Sequence, residues 1–175
     1  MGDDKEIDTP EGSGGSWARL NFVMQHQQQD FWCWAAVSAS TSAYFTPATS
    51  WTQCAIVNAE LGRSDCCSSG SSADCNKAWN LDKALNRTGN FNSMSSGAGS
   101  MTDITNEINN KRPLGARIGW AGGGGHFVTV DGYNSELNMV TIGDPWYGTS
   151  DVKLPIFQTA YKGSGQWTHK YFVKP

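Results

Sequence analysis

The segment Cys-Trp-Ala-Ala-Val-Ser-Ala-Ser-Thr-Ser-Ala-Tyr-Phe, which begins at Cys33, most narrows what this chain can fold into. Ala36, Val37, Ser40 and Tyr44 recur at helical spacing from Cys33, so the pattern predicts a helix over 33–45. The small residues on that face let the helix sit deep in the protein. Pro47 stops it, because proline lacks the N–H that a further turn needs. A thiol thereby stands at the N-terminus of a central helix, where unpaired amides and the helix dipole favour negative charge.

A chain of 175 residues, 38% of them hydrophobic, suits one domain around one buried core. Residues 1–16 are acidic and rich in Gly and Ser, with Met1 and Ile7 as their only large apolar side chains. They are expected to form a flexible arm, and 17–175 a single domain. Helical patterns follow at 81–86, with Gly89 as a stop, and at 102–110, N-capped by Ser100 or Thr102. Residues 90–99 between them read as loop. After Pro113 the texture changes to strands at 114–120, 126–133, 139–142 and 167–173. Helices first and antiparallel strands afterwards indicate an α+β domain: an N-terminal helical part, with the Cys33 helix at its centre, packed on a C-terminal antiparallel sheet.

Charge excludes some functions. The net charge is −3, and the thirteen basic residues form no stripe that would hold a phosphate backbone, so nucleic acid is not expected as a partner. No apolar run approaches the roughly 18–20 residues of a membrane span, so no membrane partner is expected either. The acidic start, residues 1–11, lacks the positive and apolar regions of a signal peptide.

Of five cysteines, Cys33 stands apart while Cys54, Cys66, Cys67 and Cys75 crowd into one loop-rich region. Two disulfides among these four structural cysteines are the natural state of a secreted protein, and their three connectivities stay open. Zinc is the competitor, but its sites favour paired C-x2-4-C spacings, whereas Cys66 and Cys67 are adjacent and Cys54 and Cys75 are distant. Neither a metal nor a cofactor is expected.

A cysteine nucleophile must ionise near neutral pH, and a helix N-terminus with a nearby imidazolium lowers a thiol from about 8.5 to roughly 3.5–7.5. Among His26, His126 and His169, only His126 comes with a matched partner. If 126–133 and 139–144 form a hairpin turning at Asn134-Ser135-Glu136, Val130 faces Val140 and Val128 faces Ile142. The next pair on that face is His126 opposite Asp144. An imidazole beside a carboxylate is the orienting contact of a Cys-His-Asp triad. Asp131, five residues along the same strand, points to the opposite face. An acyl-transfer site also needs oxyanion donors, and Gln27, Gln28 and Gln29 each offer an amide upstream of Cys33.

The order glutamine, Trp-Cys-Trp-Ala-Ala on a helix, Gly-His-Phe-Val and Gly-Asp-Pro-Trp resembles the papain-like cysteine peptidases. It is most like the bacterial branch that contains plant-pathogen effector proteases and related secreted proteins. The resemblance implies a papain-like fold, with Cys33 as nucleophile, His126 as base and Asp144 as orienting residue. It puts the oxyanion glutamine on Gln27, with Gln28 as fallback. Trp146 takes the place of a tryptophan that shields the orienting contact, and Trp34 and Gly125 flank the substrate. Thr52-Gln53-Cys54, Leu61-Gly62, Asp65-Cys66-Cys67 and Cys75-Asn76 also match that branch.

The activity so implied is a cysteine endopeptidase, a hydrolase of protein or peptide substrates. It would be a monomer, secreted or delivered into a target cell as an effector or toxin, with an activating or inhibitory immunity protein as a further partner class. Two alternatives keep different chemistry: the same triad used for deamidation, transglutamination or amidase reactions, and a non-catalytic binding module exploiting the eight tryptophans.

Overall fold

Residues 5–8 and 16–175 are described by a computed structural model. Helix α1 spans Cys33–Phe45 and is buried continuously from Trp34 to Ser42. Its polar side chains are satisfied in place. Ser38 and Thr41 donate to the carbonyls four residues back, each at 2.8 Å, and Ser40 Oγ accepts the Gln25 N–H at 2.9 Å. These bonds let a polar helix occupy a core position without orphaned groups.

Two helices pack beside it. Helix α2 (Gln53–Leu61) starts at Thr52, whose hydroxyl accepts the Ala55 N–H, and ends at Gly62, whose φ of 67° is the left-handed cap. The periodicity does not predict this helix, because Ile56 and Val57 are adjacent and draw no apolar stripe. Helix α3 (Leu81–Arg87) contributes Leu81, Ala84 and Leu85 to the core.

Among the described residues the sheet has eight strands, all paired antiparallel: β1 (Lys5–Asp8), β2 (Trp17–Leu20), β3 (Phe91–Ser96), β4 (Leu114–Trp120), β5 (Gly125–Asn134), β6 (Met139–Asp144), β7 (Gly148–Lys153) and β8 (Gly165–Val173). The order runs β1-β2-β5-β4-β8-β3, with β6 on β5 and β7 on β6. Most of the arm expected at 1–16 lies outside the described residues; its 5–8 backbone forms β1 on the edge of β2.

Residues 90–99, expected to be loop, include β3, which pairs with β8 from Phe91 to Ser96. The reason is positional. The strand lies on a sheet edge with Asn92 to Ser96 exposed, so backbone bonding rather than apolar alternation defines it.

Helices cover both faces. Phe127 of β5 and Tyr171 of β8 pack with Val37, Leu81 and Leu85 beneath α1 and α3. The alternating residues Val128 and Val130 join Ala116, Ile118, Val140 and Ile142 in the other core, under α4 (Met101–Asn109) and α5 (Leu154–Thr159). Ser100 caps α4 through a reciprocal box with Asp103. The architecture is therefore α+β, with a central sheet between helices where the sequence order suggests helices on one side.

Candidate active site

The site lies where the N-terminus of α1 meets the open ends of β5 and β6. Cys33 begins the helix, is half-buried, and is the free cysteine. Trp32 makes no side-chain cap, which leaves the first-turn amides open towards the cleft.

Three hydrogen bonds fix the backbone around Cys33 to one loop. The Phe31 N–H donates to Asn76 Oδ1, Trp32 Nε1 to the Cys75 carbonyl, and Trp34 Nε1 to the Lys77 carbonyl, each at 2.9 Å. That loop is itself tied by the disulfides Cys54–Cys67 and Cys66–Cys75. These are the pairings that the sequence leaves open. Asp65, Cys66 and Cys75 cluster tightly enough to suggest a metal site, but both sulfurs are spent in the second disulfide.

On the sheet side, His126 Nε2 lies 2.8 Å from Asp144 Oδ1. The contact anticipated from the hairpin is present, but the register is not the anticipated one. Val130 faces Ile142 and Thr129 faces Gly143; beyond a bulge at Asp131, Tyr133 faces Val140 and Asn134 faces Met139. The ladder is thus displaced by two residues at Val130 relative to the apolar match. A four-residue loop at 135–138 and the bulge absorb the difference, with Asn138 at a φ of 53° and Asn134 Oδ1 accepting the Leu137 N–H. A two-residue displacement preserves the faces. It makes Asp144 a diagonal neighbour of His126, within reach of a long side chain.

Asp144 is 2% exposed and fully partnered. Oδ1 also accepts the backbone N–H groups of Trp146 at 2.8 Å and Tyr147 at 3.0 Å, and Oδ2 accepts the Tyr161 hydroxyl at 2.6 Å. Burial pushes its carboxyl up. The His126 hydrogen bond and charge, with the Tyr161 and Tyr147 donors, outweigh burial and hold it below the usual carboxylate range. For His126, burial acts to lower the imidazole, but hydrogen bonds and charges from Asp144 and Cys33 bring it up to about 9. Because Nε2 is taken by Asp144, Nδ1 is the ring nitrogen left for another partner.

Other anticipated residues separate. Gln27 is buried and lines a cleft of about 520 Å³ together with Cys33, Gly125, His126 and Trp146. Its Nε2 donates to the Gln29 carbonyl at 3.0 Å and the Asp30 carbonyl at 2.8 Å, which orients the amide. Gln28 is exposed, and its backbone rather than its amide is held, by Gln53 Oε1. Gly125 lines the same cleft, and a Cβ there would come within 2.7 Å of the Arg117 guanidinium, the mobile end of a long side chain.

Trp34 does not line the cleft: it is fully buried, tilted against Trp79 in the helical core, and bonded to Lys77. Trp146 is 48% exposed on the cleft rim and stacks on His26. The indole stacked on His126 belongs instead to Trp120, at 6.1 Å and 22°. Asp131 is buried in the bulge and is not the partner of His126, while His169 is occupied with Thr168 on β8.

Trp120 is legible in principle. The β4–β5 ladder pairs Ile118 with His126, and Trp120 is the next residue on that face. Tyr161 follows α5 outside any periodic element, and no sequence signal places it. Gln53, which the sequence places in the Thr52-Gln53-Cys54 match without a role, has an amide that donates to Gln25 Oε1 and the His26 carbonyl and holds the glutamine-rich segment against α2.

The comparison with protein families decides the assignment: the family model described as papain-like cysteine protease AvrRpt2 matches residues 16–162. The chain belongs to that family. It is therefore a papain-like cysteine peptidase, a hydrolase, in a family of bacterial effector proteases. No curated protein gives a match to the sequence. The matched span of this peptidase contains Cys33, His126, Asp144 and Tyr161, and stops before β8.

Proposed function

We propose that this peptidase is an endopeptidase in which Cys33 is the nucleophile, His126 the acid–base and Asp144 the orienting carboxylate. The observation that carries the reading is the imidazole of His126, held on one side by the buried carboxylate and placed on the other beside a thiol at a helix N-terminus. An imidazole raised to about 9 is protonated at neutral pH, so the resting site holds an imidazolium beside the Cys33 sulfur.

The Cys33 sulfur attacks the carbonyl carbon of a peptide bond, and the tetrahedral oxyanion is held by the Cys33 N–H and the Gln27 amide. In the free enzyme both Gln27 amide protons go to main-chain carbonyls, so one of those bonds is exchanged for the oxyanion. His126 gives its proton to the leaving amine as the C–N bond breaks, and a thioester remains on Cys33. His126 then takes a proton from water as the water oxygen adds to the thioester carbonyl, and the C–S bond breaks, which releases the acid product and returns the Cys33 sulfur beside the imidazolium.

Two disulfides beside the site support passage through an oxidising compartment. With the family, they favour a secreted effector or toxin that acts on proteins of another cell. Cys33→Ala should abolish both cleavage of a denatured protein substrate and labelling by an epoxysuccinyl peptide. Labelling that persists in this variant would refute Cys33 as the nucleophile.

A further inference from the structure

We infer that Tyr161 is a positioning residue of this site: its hydroxyl fixes the Asp144 carboxylate, and through it the imidazole of His126. The inference rests on the triad reading above and extends it to a fourth side chain. Asp144 has two oxygens with unequal support. Oδ1 holds His126 and two backbone amides, whereas Oδ2 has one partner among the described residues, the Tyr161 hydroxyl at 2.6 Å. A carboxylate that is 2% exposed cannot replace a lost donor with bulk water.

Tyr161 is built to hold that position. It is 1% exposed, and its backbone N–H and C=O both bond to Gly165 at 2.8 Å. Its ring stacks on Trp120 at 6.4 Å and meets Phe157 edge-on at 5.2 Å. Trp120 in turn stacks on His126, so ring and hydroxyl reach the imidazole by two routes, one through Trp120 and one through Asp144. Burial, then the adjacent carboxylate, push the phenol far above its usual range, and it remains a donor throughout the working pH. The groups facing the pair are His126 of β5, with Cys33 of α1 beyond it, Tyr147 after β6, and Lys162, whose ammonium lies over the rings of both Tyr147 and Tyr161.

Tyr161→Phe removes the hydroxyl and keeps the ring stack. With a charged hydrogen bond lost, kcat should fall roughly 10- to 100-fold while KM stays within about twofold. Loss of a donor to the carboxylate also raises the pH at which Asp144 takes up a proton, so the acid limb of kcat/KM should move towards neutrality. A ring-fluorinated tyrosine at 161, which keeps the shape and donates more strongly, should move that limb the other way. Wild-type kcat and an unmoved acid limb in Tyr161→Phe, alongside an inactive Asp144→Ala, would overturn the positioning role and leave the triad intact. Activity that falls with thermal stability while the acid limb stays put under both substitutions would make Tyr161 a packing residue, which also overturns it. Full activity in Asp144→Ala would instead remove the triad reading beneath it.

Discussion

The β5–β6 hairpin buries two carboxylates, Asp144 at its open end and Asp131 at its bulge, and leaves them in opposite states. Their exposures, 2% and 5%, are nearly the same, so burial does not distinguish them. Donors do. Asp144 receives four hydrogen bonds and is held below the usual carboxylate range. Asp131 Oδ1 has no partner among the described residues, and burial pushes the carboxyl up to about 7 despite the Thr129 hydroxyl beside it. A low-dielectric site makes an unpartnered carboxyl hold its proton and makes a surrounded one an anion. Only the second can orient an imidazolium, and it lies at the end of the hairpin that opens on Cys33.

Substitutions at Asp144 should therefore reach the chemistry, and those at Asp131 should not. The largest effect is expected from Asp144→Ala, which frees the His126 ring and leaves Tyr161 without an acceptor. Its kcat should drop on the order of 10³-fold or more, by analogy with loss of the orienting carboxylate in a hydrolytic triad. Measured on a peptide substrate, a loss below tenfold would place the control of His126 elsewhere.

Asp144→Asn should act more gently, because the amide oxygen can still accept from Nε2 while the charge is gone. We expect about a tenfold loss in kcat and a displaced base limb. In the wild type, His126 gives up its proton as pH rises through about 9, so on the proposed mechanism kcat/KM should fall above that point. Without the neighbouring negative charge the imidazole deprotonates at lower pH, so the decline should begin earlier. A base limb that stays at its wild-type position in Asp144→Asn would mean that the carboxylate charge does not set the protonation of His126.

The same hairpin shows which parts of the molecule are legible in sequence. Helix α1 is readable to the residue because small side chains at helical spacing and Pro47 are local signals. The approach of His126 to Asp144 is readable because an even displacement of a ladder keeps faces intact, even though the turn and the bulge shift the register by two. The bulge itself is marked only by Gly132, and an isolated glycine in a strand pattern does not say whether it serves a bulge or a close backbone approach. Trp34 illustrates the opposite failure: adjacency to Cys33 suggests a cleft residue, but one step around a helix turns its indole into the core. Tyr161 and the disulfide pairing are long-range facts, fixed by how α5 and the loop at 62–76 fold back on the sheet and on α1.

Asp131→Asn tests the other half of the contrast, with the smallest expected effect on turnover: kcat and both pH limbs within about twofold and a few tenths of a pH unit of wild type. Its signature should be in stability. The folded Asp131 titrates near 7 and an unfolded aspartate near about 3.9, so between these values the folded state holds the extra proton. Folding stability therefore declines as pH rises across that window and levels off above 7. The asparagine variant carries no such penalty. Its melting temperature relative to wild type should rise from pH 4 to pH 8, and the difference should stop growing once the buried carboxyl is fully ionised. A constant offset across that range would mean that the folded Asp131 already carries its charge at low pH, and the distinction between the two ends of the hairpin would then rest on geometry alone.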